Sequence, residues 1–215
     1  MTRLIDPGLE RLKGILRDMA ILSEKSVETS IKAYTLNERV TEEIYGWSEQ
    51  INILHRQASD LAVDLIARYQ PLASDLRYIE SCFEISYGFS RLGRYAYDVA
   101  QLLDAFGDLS ECNSEEVAKM GDLVKKMIHD GVEAFFEQDV NVAKSLGEMD
   151  DEVDRRYREH IKRIASRSAA NRKADPRCTV AVTLAIRYLE RMADHACYIG
   201  DSVLYVATGS KVELR

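Results

Sequence analysis

A chain of 215 residues is long enough to bury a sizeable core, and its formal charge of −7 excludes a general nucleic-acid-binding surface, which needs a basic face. Three prolines and eleven glycines, with 46% hydrophobic and 30% charged residues, favour long helices over many short strands. No apolar run approaches the roughly 18 residues of a membrane span, so any work at a membrane goes through a partner. Cys82, Cys112, Cys178 and Cys197 stand far apart, with no Cys-x-x-Cys pair and no signal peptide ahead of them. That spacing suggests neither a disulfide framework nor a thiolate metal site, and points to a reducing cytoplasm.

After an extended start, Met1 to Gly8, apolar residues from Leu9 through Leu16, Met19 and Val27 to Ile31 keep a 3.6-residue spacing and predict one long amphipathic helix. A break near Asn37 precedes a second run from Ile44 to Leu65, which Pro71 stops. Ser74 stands where an N-cap belongs, with Asp75 in the first turn, and opens a third helix that should end near Gly107. Ser114, followed by Glu115 and Glu116, starts a fourth helix through Phe135. A fifth runs from about Val140 through Val153 to Ile164 and frays in the small and basic stretch Ser166 to Lys173. Asp175-Pro176 opens a sixth, which reaches Thr208-Gly209. The last three helices repeat the lengths and breaks of the first three, a repeat of roughly 100 residues. The expectation is therefore all-α: two tandem three-helix bundles, residues 1–109 and 110–215, sharing a continuous core.

Carboxylates occupy one stripe of the predicted sixth helix. At about 100° per residue, Glu190, Asp194 and Asp201 point within about 40° of one another, at the edge of an apolar arc that includes Leu189 and Ala193. Like charges at i,i+4 cost a few tenths of a kcal/mol, so such a stripe invites a compensating cation. Asp150 and Asp154 repeat the spacing on the fifth helix. If the two helices are antiparallel neighbours, five carboxylates converge, an oxygen-rich set suited to hard cations such as Fe(III), Mn or Mg and able to bridge more than one ion. The opposing reading is a solvated acidic face neutralised by Arg155, Arg156, Arg158, Arg187 and Arg191.

The stretch Gln70-Pro-Leu-Ala-Ser-Asp-Leu-Arg77, paired with Arg187-Tyr-Leu-Glu-Arg-Met-Ala-Asp-His-Ala196 and with Asp201 to Gly209, resembles the PhoU family of phosphate-transport regulators over nearly the whole chain. The resemblance implies two tandem three-helix bundles, a homodimer, and multinuclear iron or zinc clusters on acid-x-x-x-Asp motifs. It also implies a non-enzymatic, cytoplasmic negative regulator of phosphate uptake, acting on the ATPase of the phosphate ABC transporter and on a histidine kinase. Carried over, the motif falls on Asp150, Asp154, Glu190 and Asp194, with Asp201 as a further acid. The first half departs from it: the corresponding positions hold Ser48, Asn52, Ser90, Arg94 and Gln101. Metal is therefore expected in the second half alone, iron first, with zinc, manganese and magnesium as alternatives. A metal-free helical adaptor is the second reading. A carboxylate-bridged di-metal oxidase ranks last, because the Glu-x-x-His pairs of such sites are absent.

Other residues take plainer readings. Asp60 and Asp64 spell the same motif but lie about 120 to 160° around the helix from Ser48 and Asn52, toward solvent. His195, about 100° from the acid arc, reads as a packing or surface histidine, and His55 as structural. Arg163, Arg167, Arg172, Lys173 and Arg177 read as a solvated helix end, with a docking patch as the minor alternative. Tyr87, Tyr95 and Tyr97 read as aromatic packing beside Gly88 and Gly93, which permit close helix approach.

Overall fold

The structure, a computed structural model, describes residues 3–170 and 175–214, with side chains throughout except at 167–170. Its elements are α1 (Asp6–Leu36), α2 (Thr41–Tyr69), α3 (Ala73–Phe106), α4 (Glu115–Glu137), α5 (Val140–Ala170) and α6 (Pro176–Thr208), and the described residues contain no strand. The all-α reading holds because period and breaks are local properties. Each apolar stripe repeats at the helical period, and each stop has a chemical cause.

Three boundaries differ from expectation. The extended start is shorter than Met1 to Gly8, because Pro7 lies in the first turn of α1, where its missing N–H and fixed φ cost nothing. The third helix begins at Ala73, one residue before Ser74, and its cap position is Leu72, which offers no side-chain hydrogen bond. Asp75 instead receives Arg3 Nη1 at 2.6 Å and ties the chain start to α3. The fifth helix continues through Ser166 to Ala170, and residues 171–173 of the expected frayed stretch lie outside the described ones. At α6 the expected cap is present, with Arg177 N–H donating to Asp175 Oδ1 at 2.8 Å.

Helices α1, α2 and α3 pack on one another, as do α4, α5 and α6; α3 against α6 and α1 against α4 join the two triplets. One apolar cluster runs through both, from Leu12, Leu16 and Phe89 to Phe135, Leu189 and Ile199, all buried. Gly93 serves the expected close approach, since a β-carbon there would stand 2.8 Å from Ile51 Cδ1 of α2. The link between triplets is pinned as well as short. Asn37 donates to Asp108 at 2.9 Å and accepts from Leu109 N–H at 2.9 Å, while Gly107, at φ +74° and ψ −146°, takes a backbone shape that side chains disfavour.

The expectation of no disulfide is overturned. Cys112, in that link, is bonded to Cys178 in the first turn of α6, with 5.3 Å between Cα atoms and a sequence separation of 66. Sequence spacing hid the pair, because the link and the start of α6 meet only once the second triplet has packed. Cysteine usage therefore no longer argues for a reducing compartment; Cys82 and Cys197 are both buried outside this bond, and the Cys197 thiol donates to the Leu146 carbonyl at 3.6 Å.

Candidate functional site

The acids of α5 and α6 sit where local structure puts them. Val153, Leu146, Leu189 and Ala193 are fully buried, so carboxylates on the flank of that stripe are drawn part-way into the protein. Asp150 and Asp194 keep 5% of their surface exposed and Glu190 keeps 8%. Asp154 is more open, and Asp201 is half-buried. All five line one cavity of about 750 Å³ between α5, α6 and α3.

Arginines hold the carboxylates in place. Arg158 donates to Asp154 at 2.9 Å, Arg191 donates to Asp194 at 2.9 Å, and Arg187 pairs with Glu190. Glu190 Oε2 is buried without a hydrogen bond among the described residues, and Arg191 Nε lies 3.7 Å from it. Burial raises the Glu190 pKa, against the pull of Arg187. The negative charges of Asp194 and Asp154 push it further up and Arg191 draws it down. A carboxylate in that position is short of positive charge. Among the described residues, no three His, Cys, Asp or Glu side chains are gathered tightly enough to hold a metal ion as they stand. The donors share a cavity, and three of them, Asp154, Glu190 and Asp194, are paired with arginines.

Sequence reasoning missed part of this wall. Glu80 and Glu84, an i,i+4 acidic pair on α3, bring carboxylates from the first triplet, and Lys211, Val212 and Glu213 close the cavity from beyond α6. The Glu80/Glu84 spacing was a readable signal, but which triplet α3 would face was not. Tyr205 OH and Lys211 Nζ donate to Glu80 at 2.7 and 3.0 Å and hold its carboxyl below the usual carboxylate range, the tyrosine contributing most.

The remaining candidates fall where the plainer readings put them. Asp60 and Asp64 are exposed, and Asp64 pairs with Arg68 at 2.9 Å. His195 is buried among the rings of Tyr87, Tyr95 and Tyr198, with centroids 5.5 to 6.1 Å away. His55 Nδ1 lies 3.0 Å from Ser86 Oγ. Within the basic stretch, Arg163 donates to His160 and Arg177 to Asp175; Arg172 and Lys173 lie outside the described residues, as does the Arg167 side chain.

Comparison with known proteins follows the same two-part division. The family model described as "PhoU domain" matches twice, at residues 16–103 and 117–203. A relative from Methanothermobacter thermautotrophicus, named phosphate-specific transport system accessory protein PhoU homolog 1, is 29% identical over 208 residues, covering 94% of each chain. A relative from Pseudomonas putida, named phosphate-specific transport system accessory protein PhoU homolog, is 30% identical over 207 residues, covering 95% of this chain and 80% of its own. The crystal structure of PhoU from Pseudomonas aeruginosa superposes with a TM-score of 0.89 at 30% identity, covering 96% of this chain and all of that one. The regulatory protein PhoU from Streptococcus pneumoniae shares the fold, with a TM-score of 0.88 at 22% identity over 97% of this chain and 99% of its own. With both triplets matched and the likeness running nearly end to end, the chain belongs to the PhoU family.

Proposed function

We propose that this protein is a negative regulator of phosphate uptake and phosphate signalling. It acts by contact with the ATPase of a phosphate ABC transporter, with a signalling partner such as a histidine kinase, or with both. It works in the cytoplasm as a homodimer and without enzymatic activity of its own. The observation that carries this reading is similarity over nearly the full length of proteins named as accessory to phosphate-specific transport. No helix among the described residues is long and apolar enough to cross a membrane, consistent with reaching the transporter through a partner. Pull-down with the transporter ATPase, in phosphate excess and in phosphate starvation, tests it. Retention in at least one condition is expected, and absence in both overturns the proposal.

The acidic cavity supports a second element of the proposal, a cation held in the second repeat alone. Asp150, Asp154, Glu190, Asp194 and Asp201 would hold it. Their all-oxygen donor set fits iron first, with manganese, magnesium or zinc as alternatives, and carboxylates can bridge several ions. The buried, hydrogen-bond-free Glu190 Oε2 supports a cation here. When bound, the metal would supply positive charge that stiffens the α5–α6 pair; the chain's own part is to orient the carboxylates and to withdraw Arg191 from Glu190 and Asp194. Elemental analysis of protein purified without chelator, beside Asp150→Ala/Glu190→Ala, is the test. Metal in the parent and none in the variant is expected. Equal metal in both moves the site elsewhere. Metal in neither, even after readdition, leaves a metal-free adaptor.

A further inference from the structure

The segment after α6 folds back onto the helix pair it has just left. Gly209, at φ +77°, ends the helix, and Lys211 crosses the Tyr205 ring to donate to Glu80 at 3.0 Å. Leu214 then drops between α5 and α6. Its N–H donates to Asp201 Oδ1 at 3.0 Å. Its carbonyl oxygen stands 2.6 Å from where a β-carbon of Gly147 would be, and its Cδ1 stands 2.8 Å from the same point at Gly200. Leu146 Cδ1, 2.9 Å from that point, makes the notch apolar. Two glycines on facing helices thus leave a slot that one aliphatic residue fills.

Each contact recognises a general feature. A carboxylate takes a backbone N–H, a glycine notch takes an aliphatic side chain, and an acidic wall takes a cation three residues earlier. Geometry of this kind reads an extended segment, and none of it needs the segment to be joined to α6. We infer that the α5–α6 groove is a docking site for an extended protein segment with a basic residue followed three positions later by an aliphatic one, and that residues 211–214 occupy it in cis. A partner carrying such a segment displaces them. The inference rests on the groove's geometry, and the segment shares Asp201 and the cavity wall with the proposed cation site.

A fluorescein-labelled peptide of residues 209–215, Gly-Ser-Lys-Val-Glu-Leu-Arg, titrated by anisotropy against the full chain and its variants, tests this. A segment tethered in cis competes at an effective concentration on the order of millimolar. Leu214→Asp, which vacates the notch, therefore binds the peptide at least about tenfold more tightly than the parent. Adding Gly147→Ala abolishes that binding, because the three atoms nearest the new β-carbon all belong to Leu214. A peptide with glutamate in place of its lysine binds about tenfold more weakly, the loss of one charge-assisted contact. Should the Gly147→Ala chain melt early by circular dichroism, the charge-reversed peptide decides. No binding to Leu214→Asp at about 1 mM peptide, binding that survives Gly147→Ala in a folded chain, or indifference to the charge reversal overturns the inference.

Discussion

The two repeats share a fold and differ in what fills the groove between their second and third helices. In the second repeat the groove is a cavity lined with carboxylates. At the counterpart positions of the first, Ser48 is buried against α3 and Arg94 pairs with Asp98 at 3.0 Å. Arg94 also lies over the Tyr97 ring, Tyr97 packs on Tyr45, and Gln101 donates to the Tyr97 hydroxyl at 2.9 Å. One groove is satisfied by its own arginine and aromatics. The other carries buried negative charge that its arginines neutralise incompletely, as Glu190 Oε2 illustrates. Backbone geometry can stay constant across a duplication while a handful of charges decide which copy keeps carboxylates buried in its groove.

The largest expected effect asks whether the repeats are two units at all. Phe89 and Phe135 are fully buried in the shared core, one in each triplet, and truncation of either to alanine should cost about 3 to 5 kcal/mol. Calorimetry of each variant should show one transition, moved down. A split transition in which only the mutated half melts early would break the view that one core serves both.

Next is the bond found only in the second half. In the loop-entropy model, closing the 66-residue separation between Cys112 and Cys178 is worth about 4 kcal/mol. Reductant should lower the melting temperature of the parent and leave Cys178→Ser unmoved. An unaffected parent would mean that the bond adds nothing.

The sharpest test of the groove comparison removes one arginine from each. Arg94→Ala should cost about 1 kcal/mol, leaving Asp98 half-buried beside fewer charges, and manganese should not restore the loss. Burial already raises the Asp98 pKa, and Arg94 is the main opposing influence. Arg191→Ala should cost about 1 to 3 kcal/mol in chelator, since it leaves two buried carboxylates without this partner. Manganese should restore that melting temperature. Equal rescue of both variants, or of neither, removes the proposed asymmetry.

The smallest effect involves one histidine from each repeat. Burial lowers the pKa of His55 and of His160, with Arg56 and Arg163 adding to it. Unfolded imidazoles keep a value near 6.5, so below that pH the unfolded chain binds more protons and stability falls. Melting temperature should drop between pH 7 and 5.5, and His55→Gln/His160→Gln should flatten the drop.

Much of the fold was legible because helices are written locally. The apolar period, Pro71, Pro176, Gly107 and Gly209 mark stripes and stops within a few residues of where they act. The acids of α5 and α6 were legible for the same reason, since i,i+4 spacing fixes a shared face before any packing occurs. His195 was half legible: its angle excluded it from the acid arc and Tyr198 lies one turn on, yet nothing nearby in sequence announced the rings of Tyr87 and Tyr95 from α3.

Six helices, two repeats and a second half rich in paired carboxylates could be read from the residues alone, because those depend on neighbours within about a turn. Packing alone brings Cys112 to Cys178, sets Glu80 and Glu84 of α3 in the acidic wall, and lodges Leu214 between Gly147 and Gly200. Each of those joins residues separated by tens of positions, and their meeting depends on how one triplet packs upon the other and on how closely two helices can approach.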